Sequence, residues 1–212
     1  MEILAHRGLW RLPKDKNKLS SFSEALEMGF GIETDLRDID GKVIISHDPP
    51  SKSEKQFLSL NEFLDLYNSF DSNLPLALNI KSDGLSLYIK NSLEKYQIKN
   101  YFLFDMSVPD LIEYHKNKIK IFCRQSEFES PENLINISNG LWLDSFSENY
   151  YKDMDLNSVF DKWNEVAIVS PELHGYKKDY FWELLKGKII NFSKKKIFLC
   201  TDFPEEAKSY FY

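Results

Sequence analysis

The sequence has little cysteine and no long apolar run, and each shortage excludes a class of protein. Its two cysteines, Cys123 and Cys200, each lie in an apolar segment typical of a strand. This placement favours reduced, buried thiols over a disulfide framework, so we expect a cytoplasmic protein. No segment approaches the ~18 apolar residues of a membrane span. The start, MEILAHRG, does not have the pattern of a leader peptide, so we expect no stable membrane insertion.

The chain also lacks an excess of positive charge. Its formal net charge is −6, which argues against nucleic acid or an anionic membrane surface as the main partner. The short basic clusters Lys14–Lys18 and Lys194–Lys196 are interpreted as solvated loops. The 212 residues are 42% hydrophobic and include no Gly/Ser-rich linker, so they can bury a sizeable core. We expect one domain, 1–212, and the oligomeric state stays open.

Apolar strand-like segments alternate with amphipathic segments along the whole chain. Strands are predicted at Glu2–Ala5, Gly31–Asp35, Pro75–Ile80, Tyr101–Asp105, Ile119–Cys123, Gly140–Asp144, Glu165–Ser170 and Lys196–Thr201. Helices are predicted at 20–29, 59–70, 85–96, 108–117, 130–137, 156–163, 177–187 and 204–211. This alternation is typical of an α/β protein with a parallel sheet. The length favours a compact (β/α)8 TIM barrel, with an open doubly wound sheet as the alternative.

The segment 32–48, IETDLRDIDGKVIISHD, predicts a hairpin after the second strand, with its turn at Asp40-Gly41. Glu33 and Asp35 are two positions apart on the first arm, so their side chains share one face. A two-residue loop would pair His47 with Thr34. A three-residue loop with Gly41 left-handed would pair His47 with Glu33. We expect the three-residue loop, because it gathers two carboxylates and an imidazole around one point.

Polar residues collect where the predicted strands end, which is the end that bears function in TIM barrels. In strand order they are His6 and Arg7, Glu33 and Asp35, Asn79 and Lys81, Asp105, Arg124, Trp142 and Asp144, Glu172 and His174, and Asp202. Paired histidines can act as base and acid near neutral pH. Carboxylates are oxygen ligands suited to Mg²⁺ or Ca²⁺, and arginine and lysine bind phosphate. Together these parts indicate cleavage of a phosphodiester.

The motifs AHRG, SSFSEALEMG, IETDLR…DGKVIISHD and the lysine-bearing third strand resemble the glycerophosphodiester phosphodiesterase family. That family belongs to the phosphatidylinositol-phospholipase-C-like superfamily. The resemblance implies a (β/α)8 barrel that hydrolyses small glycerol-linked phosphodiesters with a divalent cation, Mg²⁺ or Ca²⁺. Matched by position, it implies acid/base roles for His6 and His47. It implies phosphate binding by Arg7 and Lys81.

The metal ligands implied by the resemblance are Glu33 and Asp35, and the third position departs from the family pattern. The third strand reads Asn79-Ile80-Lys81, so an amide replaces a carboxylate. An amide oxygen can coordinate Mg²⁺ or Ca²⁺ but adds no charge, so we expect weaker metal binding. The segment between His47 and Asn79 is also short, which implies that the family's covering insertion is nearly absent. We therefore expect an open site and a larger alcohol group, such as that of a glycan-linked diester.

The roles of residues outside these motifs are less clearly indicated by the sequence. We predict substrate contacts for Arg124, Trp142, Glu172 and His174. A salt bridge from Arg124 to Glu127 or Glu129, and a core position for Trp142, are equally consistent with the sequence. The competing function is a non-catalytic barrel that binds a phosphorylated glycan or lipid head group and lacks a competent metal because of Asn79.

Overall fold

The structure, a computed structural model, describes residues 1–51, 56–70 and 73–212. These residues group into two compact units. The first, here called the N unit, is Ala5–Ile121. The second, the C unit, combines Met1–Leu4 with Phe122–Tyr212. That the chain is a single domain stays a prediction.

All eight predicted strands are present, and the hairpin adds one more. The strands are β1 (Glu2–His6), β2 (Gly31–Ile39), β3 (Lys42–Ile45), β4 (Leu76–Ile80), β5 (Tyr101–Phe104), β6 (Phe122–Gln125), β7 (Gly140–Leu143), β8 (Glu165–Val169) and β9 (Lys196–Thr201). The α-helices are α1 (Leu19–Glu27), α2 (Leu60–Ser69), α3 (Ser86–Lys95), α4 (Val108–Lys116), α5 (Tyr150–Asp153), α6 (Leu156–Lys162), α7 (Asp179–Ile189) and α8 (Pro204–Phe211).

The strand order confirms the predicted (β/α)8 class. Hydrogen-bonded neighbours follow the order β5-β4-β2-β1-β9-β8-β7-β6, and β3 pairs only with β2 beside this path. The eight strands of the path are parallel, with helices between them. Leu103 of β5 also forms a parallel bridge with Ile121, the residue before β6. Parallel strands with helical crossovers are buried on both faces, which explains their continuous apolar runs.

One predicted helix is wrong. Residues 130–137 form successive turns, with Leu134 donating to the carbonyl of Pro131 and Ile137 to that of Leu134. The segment has three apolar residues, Leu134, Ile135 and Ile137, and each is only partly buried. It therefore offers too little apolar surface for an amphipathic helix, whose stability in proteins comes mostly from packing.

The hairpin forms between β2 and β3, but its predicted register is wrong. The pairs Ile39↔Lys42 and Leu36↔Ile45 leave a two-residue loop, Asp40-Gly41. Both loop residues are left-handed, with φ of 48° and 75°, which is the type I′ turn that matches the twist of the arms. The paired arms end at Ile45, so strand alternation does not place His47 opposite Glu33.

In the N unit, α1 and α2 pack through their apolar faces. Phe22 of α1 and Phe63 of α2 are fully buried, with ring centroids 4.7 Å apart. A capping box starts α2, since Ser59 Oγ accepts from the Glu62 N–H and Glu62 Oε2 accepts from the Ser59 N–H. Among the described helices, none is both long enough and apolar enough to span a bilayer.

Candidate active site

β1 ends in a sharp turn that presents His6 and Arg7, two residues of the N unit. Arg7 has φ 60°, a left-handed conformation that few non-glycine residues adopt, and Gly8 follows with φ 88°. A Cβ atom on Gly8 would lie 2.7 Å from Ser21 Oγ, so this position requires glycine. The Arg7 N–H donates to the Glu33 carbonyl at 2.9 Å, which ties the turn to β2. The His-Arg-Gly motif is thus the sequence of this turn.

The two carboxylates of β2 share one face and are almost completely buried. Glu33 is 2% exposed and Asp35 0%. The parallel register places Asp35 beside Asn79 of β4, which is also buried. The structure therefore brings together the three predicted metal ligands on neighbouring strands.

Asp35 is paired with two cations. Its Oδ2 lies 2.9 Å from Arg7 Nε and its Oδ1 lies 3.7 Å from Lys81 Nζ. Lys81 Nζ also lies 3.5 Å from Oδ2 of Asp105, which follows β5 with a left-handed φ of 74°. Non-glycine residues in this conformation cluster at functional sites, where the surrounding structure holds them against strain.

Glu33 lies in a different electrostatic environment from Asp35. Its Oε2 is 3.9 Å from His6 Nε2. Burial, and then repulsion from Asp35, raise the pKa of Glu33 to about 8, against opposing contributions from Arg7 and Lys81. The carboxyl is therefore largely protonated at neutral pH unless a cation approaches it.

Three buried oxygens on these residues fit a hard divalent cation. Glu33 Oε2, Asp35 Oδ1 and Asn79 Oδ1 have no hydrogen-bond partner among the described residues. Buried polar atoms are normally satisfied, so three of them without a hydrogen-bond partner on neighbouring strands call for an explanation such as an ion. No cluster of three His, Cys, Asp or Glu side chains suited to a metal occurs in the described chain. A metal site here would need a donor of another type, and the Asn79 amide oxygen is a candidate.

Asn17 belongs to the same cluster, although the sequence reasoning missed it. Its Nδ2 donates to Asp35 Oδ2 at 3.1 Å, and its Oδ1 accepts from Thr34 Oγ1 at 2.9 Å. Its N–H donates to the Arg7 carbonyl at 3.0 Å. The only sequence signal was an asparagine among lysines, which is typical of an ordinary loop.

His47 lies on the segment that follows β3. Its side chain is 45% exposed, and its Nδ1 lies 2.8 Å from Asp48 Oδ1. Its carbonyl accepts from Arg37 Nε at 2.9 Å, and Arg37 Nη1 donates to the Lys81 carbonyl at 2.9 Å. Arg37 therefore ties the segment that bears His47 to the end of β4. His47 and Arg7 line one cleft of the N unit.

In the C unit, Asp144 joins Arg124 and His174. Asp144 Oδ1 lies 2.8 Å from His174 Nε2, and its Oδ2 lies 4.0 Å from Arg124 Nη1. Arg124 Nε is 3.1 Å from Glu129 Oε2. This is one of the two salt bridges that the sequence left open as an alternative to substrate contact. The ring of Phe146, also missed from the sequence, lies 4.8 Å from the His174 ring.

Glu172 and Trp142 of the C unit are engaged with their own surroundings. Glu172 accepts hydrogen bonds from the hydroxyls of Ser170 and Thr201 and from the Asp202 N–H. Burial raises the pKa of Glu172. Trp142 is buried in β7. Substrate contact by Arg124, Trp142, Glu172 and His174 stays a prediction.

The raised pKa of Glu33 predicts a pH-dependent stability of the metal-free protein. Between pH 4.5, the ordinary pKa, and about 8, the folded state binds more protons at this residue than the unfolded state. The free energy of unfolding should therefore fall as pH rises through this window, by up to about 1.4 kcal/mol per pH unit. Denaturation in chelator should show this slope, and Glu33→Gln should remove it. Parallel pH curves for the two proteins would contradict the assignment.

No protein-family model matches the sequence, and no curated protein matches it significantly. Solved structures share its fold. A candidate glycerophosphodiester phosphodiesterase from Galdieria sulphuraria superposes with a TM-score of 0.77 at 17% identity, covering 99% of this chain and 97% of that one. An Oleispira antarctica phosphodiesterase in complex with the product sn-glycerol-3-phosphate has a TM-score of 0.70 at 19% identity, covering 99% and 96%.

The likeness extends to a protein of different chemistry. The phosphoribosyl anthranilate isomerase of Thermotoga maritima has a TM-score of 0.56 at 10% identity, covering 99% of this chain and 96% of that one. One fold hosts many reactions, so the fold alone does not decide the chemistry. The chemistry therefore has to be inferred from the side chains at the strand ends.

Proposed function

We propose that the chain is a metal-dependent phosphodiester hydrolase similar in function to the glycerophosphodiester phosphodiesterases. The observation that carries this proposal is the set of buried oxygens on Glu33, Asp35 and Asn79 that have no hydrogen-bond partner among the described residues. Imidazole and ammonium groups lie beside the two carboxylates. The sequence motifs support it independently, as does the fold shared with the two phosphodiesterase structures.

Glu33, Asp35 and Asn79 are the residues that would hold the cation. Two carboxylates and one amide suit Mg²⁺ or Ca²⁺, which bind oxygen ligands and retain waters. Such an ion supplies Lewis-acid chemistry, neutralising charge on phosphate oxygens. Loading of the site also requires Glu33 to lose its proton, so metal binding should release protons below about pH 8.

Arg7 and Lys81 are proposed to bind the phosphate. Both already lie within 4 Å of Asp35, so their positive charges are fixed at the cluster before substrate arrives. Arginine can bind two phosphate oxygens at once, and lysine acts as a point charge. Preorganised cations of this kind stabilise the negative charge that develops on the phosphoryl oxygens in the transition state.

His6 and His47 are proposed to divide the proton transfers. One removes the proton of the attacking oxygen as its bond to phosphorus forms. The other donates a proton to the alcohol oxygen as the phosphorus–oxygen bond to it breaks. The contact between His47 Nδ1 and Asp48 leaves the opposite ring nitrogen, Nε2, for this transfer. The attacking oxygen belongs to water or to a neighbouring substrate hydroxyl, and product analysis in ¹⁸O-labelled water distinguishes the two by detecting a cyclic phosphate.

A screen of phosphodiesters by release of free alcohol tests the proposal. Purified protein with Mg²⁺ or Ca²⁺ should hydrolyse at least one glycerophosphodiester, and a chelator should abolish the reaction. The panel should include bis(p-nitrophenyl) phosphate and a glycan-linked diester, because the site is expected to accept a large alcohol group. Binding without turnover, and without any uptake of divalent ions, would favour the non-catalytic binder that Asn79 suggests.

A further inference from the structure

Asn17 lies in the segment that joins β1 to α1, and its backbone is bonded to the end of β1. Its φ is 58°, a left-handed conformation in which asparagine is enriched among non-glycine residues. Its N–H donates to the Arg7 carbonyl at 3.0 Å. This backbone bond fixes the position from which the Asn17 side chain reaches Asp35.

The side-chain amide of Asn17 is held in one orientation. An ionised carboxylate only accepts hydrogen bonds, so the amide nitrogen has to face Asp35, and Nδ2 lies 3.1 Å from Asp35 Oδ2. The amide oxygen accepts from Thr34 Oγ1 at 2.9 Å, and Thr34 is fully buried. Thr34 therefore holds the amide of Asn17, and this amide contacts Asp35.

Among the described contacts of the Asp35 side chain, the bond from Asn17 is the directional one. Arg7 Nε lies 2.9 Å from Oδ2 but has no hydrogen-bond partner among the described residues, so this contact is an ion pair. Lys81 Nζ lies 3.7 Å from Oδ1, which is longer than a hydrogen bond. Asn17 thus fixes the rotation of the carboxylate. Oδ1 is left without a hydrogen bond from the described chain.

We propose that Asn17, held by Thr34, is a positioning residue of the metal site. It binds Asp35 Oδ2, so that Oδ1 is the oxygen presented to the ion. Hydrogen-bond partners of this kind orient metal ligands and contribute to metal affinity. The inference rests on the proposed metal-dependent function, which it deepens by naming the residues that orient one of the ligands.

A fixed carboxylate suits one of the two candidate ions better than the other. Mg²⁺ requires near-ideal octahedral geometry, whereas Ca²⁺ accepts flexible geometry and either one or both oxygens of a carboxylate. Release of the Asp35 carboxylate should therefore cost Mg²⁺ more binding free energy than Ca²⁺. The difference between the two ions distinguishes a positioning role from a general loosening of the fold.

Asn17→Gly tests this role by calorimetric titration with each ion. Glycine adopts the left-handed backbone without strain and keeps the N–H that donates to Arg7, so the change removes only the side chain. The Kd for Mg²⁺ should rise about 10–100-fold, and the Kd for Ca²⁺ should rise less. An unchanged Kd for Mg²⁺ would overturn the proposal. Equal rises for both ions would overturn it as well, because they would indicate a merely structural role.

Gln97→Gly is the matched control. Gln97 is an exposed amide residue of the same unit, and its φ of 56° is also left-handed. The variant removes an amide side chain from the same backbone conformation, so both dissociation constants should match those of the wild type. A loss of Mg²⁺ affinity in Gln97→Gly as large as in Asn17→Gly would contradict the assignment to Asn17.

A pair of variants at Thr34 tests how the amide is held. Thr34→Val replaces the hydroxyl with a methyl group and leaves Asn17 Oδ1 without its donor, so Mg²⁺ binding should weaken. Thr34→Ser keeps the hydroxyl and should restore the wild-type Kd. Melting temperatures in chelator verify that both variants fold. Wild-type Mg²⁺ affinity in Thr34→Val would contradict the role of Thr34.

Failure of the proposed function would give a different result. A wild-type protein that takes up neither ion would reject the metal site itself and, with it, this role of Asn17. A wild-type protein that binds Mg²⁺, with the same Kd in Asn17→Gly, would reject only the role of Asn17.

Discussion

Replacing His6 with alanine should lower kcat for glycerophosphodiester hydrolysis by about 10²–10⁴-fold, the range typical of a lost acid or base. His47→Ala should have an effect of the same order, because each histidine is proposed to handle one of the two proton transfers. Neither change should unfold the protein, since His47 is half-exposed and His6 lies at a strand end.

The exposed His115 of α4 offers the matched control. His115→Ala makes the same chemical change on the same unit and should leave kcat unaltered. Circular dichroism and melting temperature should match the wild type for all three variants, so that a lost rate reports on chemistry. Wild-type activity in His6→Ala or His47→Ala would remove that residue from the mechanism.

Asn79→Glu should tighten binding of the divalent ion by about ten- to a hundredfold, because it adds a third negative ligand. Without metal, the same change places another carboxyl beside Glu33 and Asp35, both already buried. The metal-free variant should therefore melt at a lower temperature than the wild type and gain more from added Mg²⁺ or Ca²⁺.

Calorimetric titration of each ion measures the affinity directly. Asn79→Ala, which removes the amide oxygen, should weaken binding relative to the wild type. An unchanged dissociation constant in both variants would mean that residue 79 is not a ligand. The carboxylates of β2 would then need a different third partner.

The fold could be predicted from the sequence because one physical signal repeats along the chain. Parallel strands such as β4, LALNI, are buried on both faces and read as continuous apolar runs, while the crossover helices are amphipathic. The positions of the strand ends could be predicted from the same pattern, because each apolar run stops at a polar residue. Most of the cluster around Asp35, including Arg7 and Lys81, could therefore be placed at the strand ends before the structure was known.

The hairpin register could not be predicted in the same way. Gly41 is left-handed in both loop types, so the Asp-Gly pair alone does not choose between two and three loop residues. Because β3 ends at Ile45, the position of His47 depends on bonds outside the ladder, including one from Arg37. Asn17 could not be predicted either, because its contact with Asp35 joins residues far apart in the chain and leaves no local sequence pattern.

The most direct test is ³¹P NMR of a glycerophosphodiester incubated with the purified chain, once with Mg²⁺ or Ca²⁺ and once with a chelator. We expect the diester resonance to be replaced by that of a phosphate monoester in the presence of metal and to persist in chelator. An unchanged diester resonance with either ion, for every diester tested, would contradict the proposed function. Equally fast conversion in chelator would contradict the proposed metal site formed by Glu33, Asp35 and Asn79.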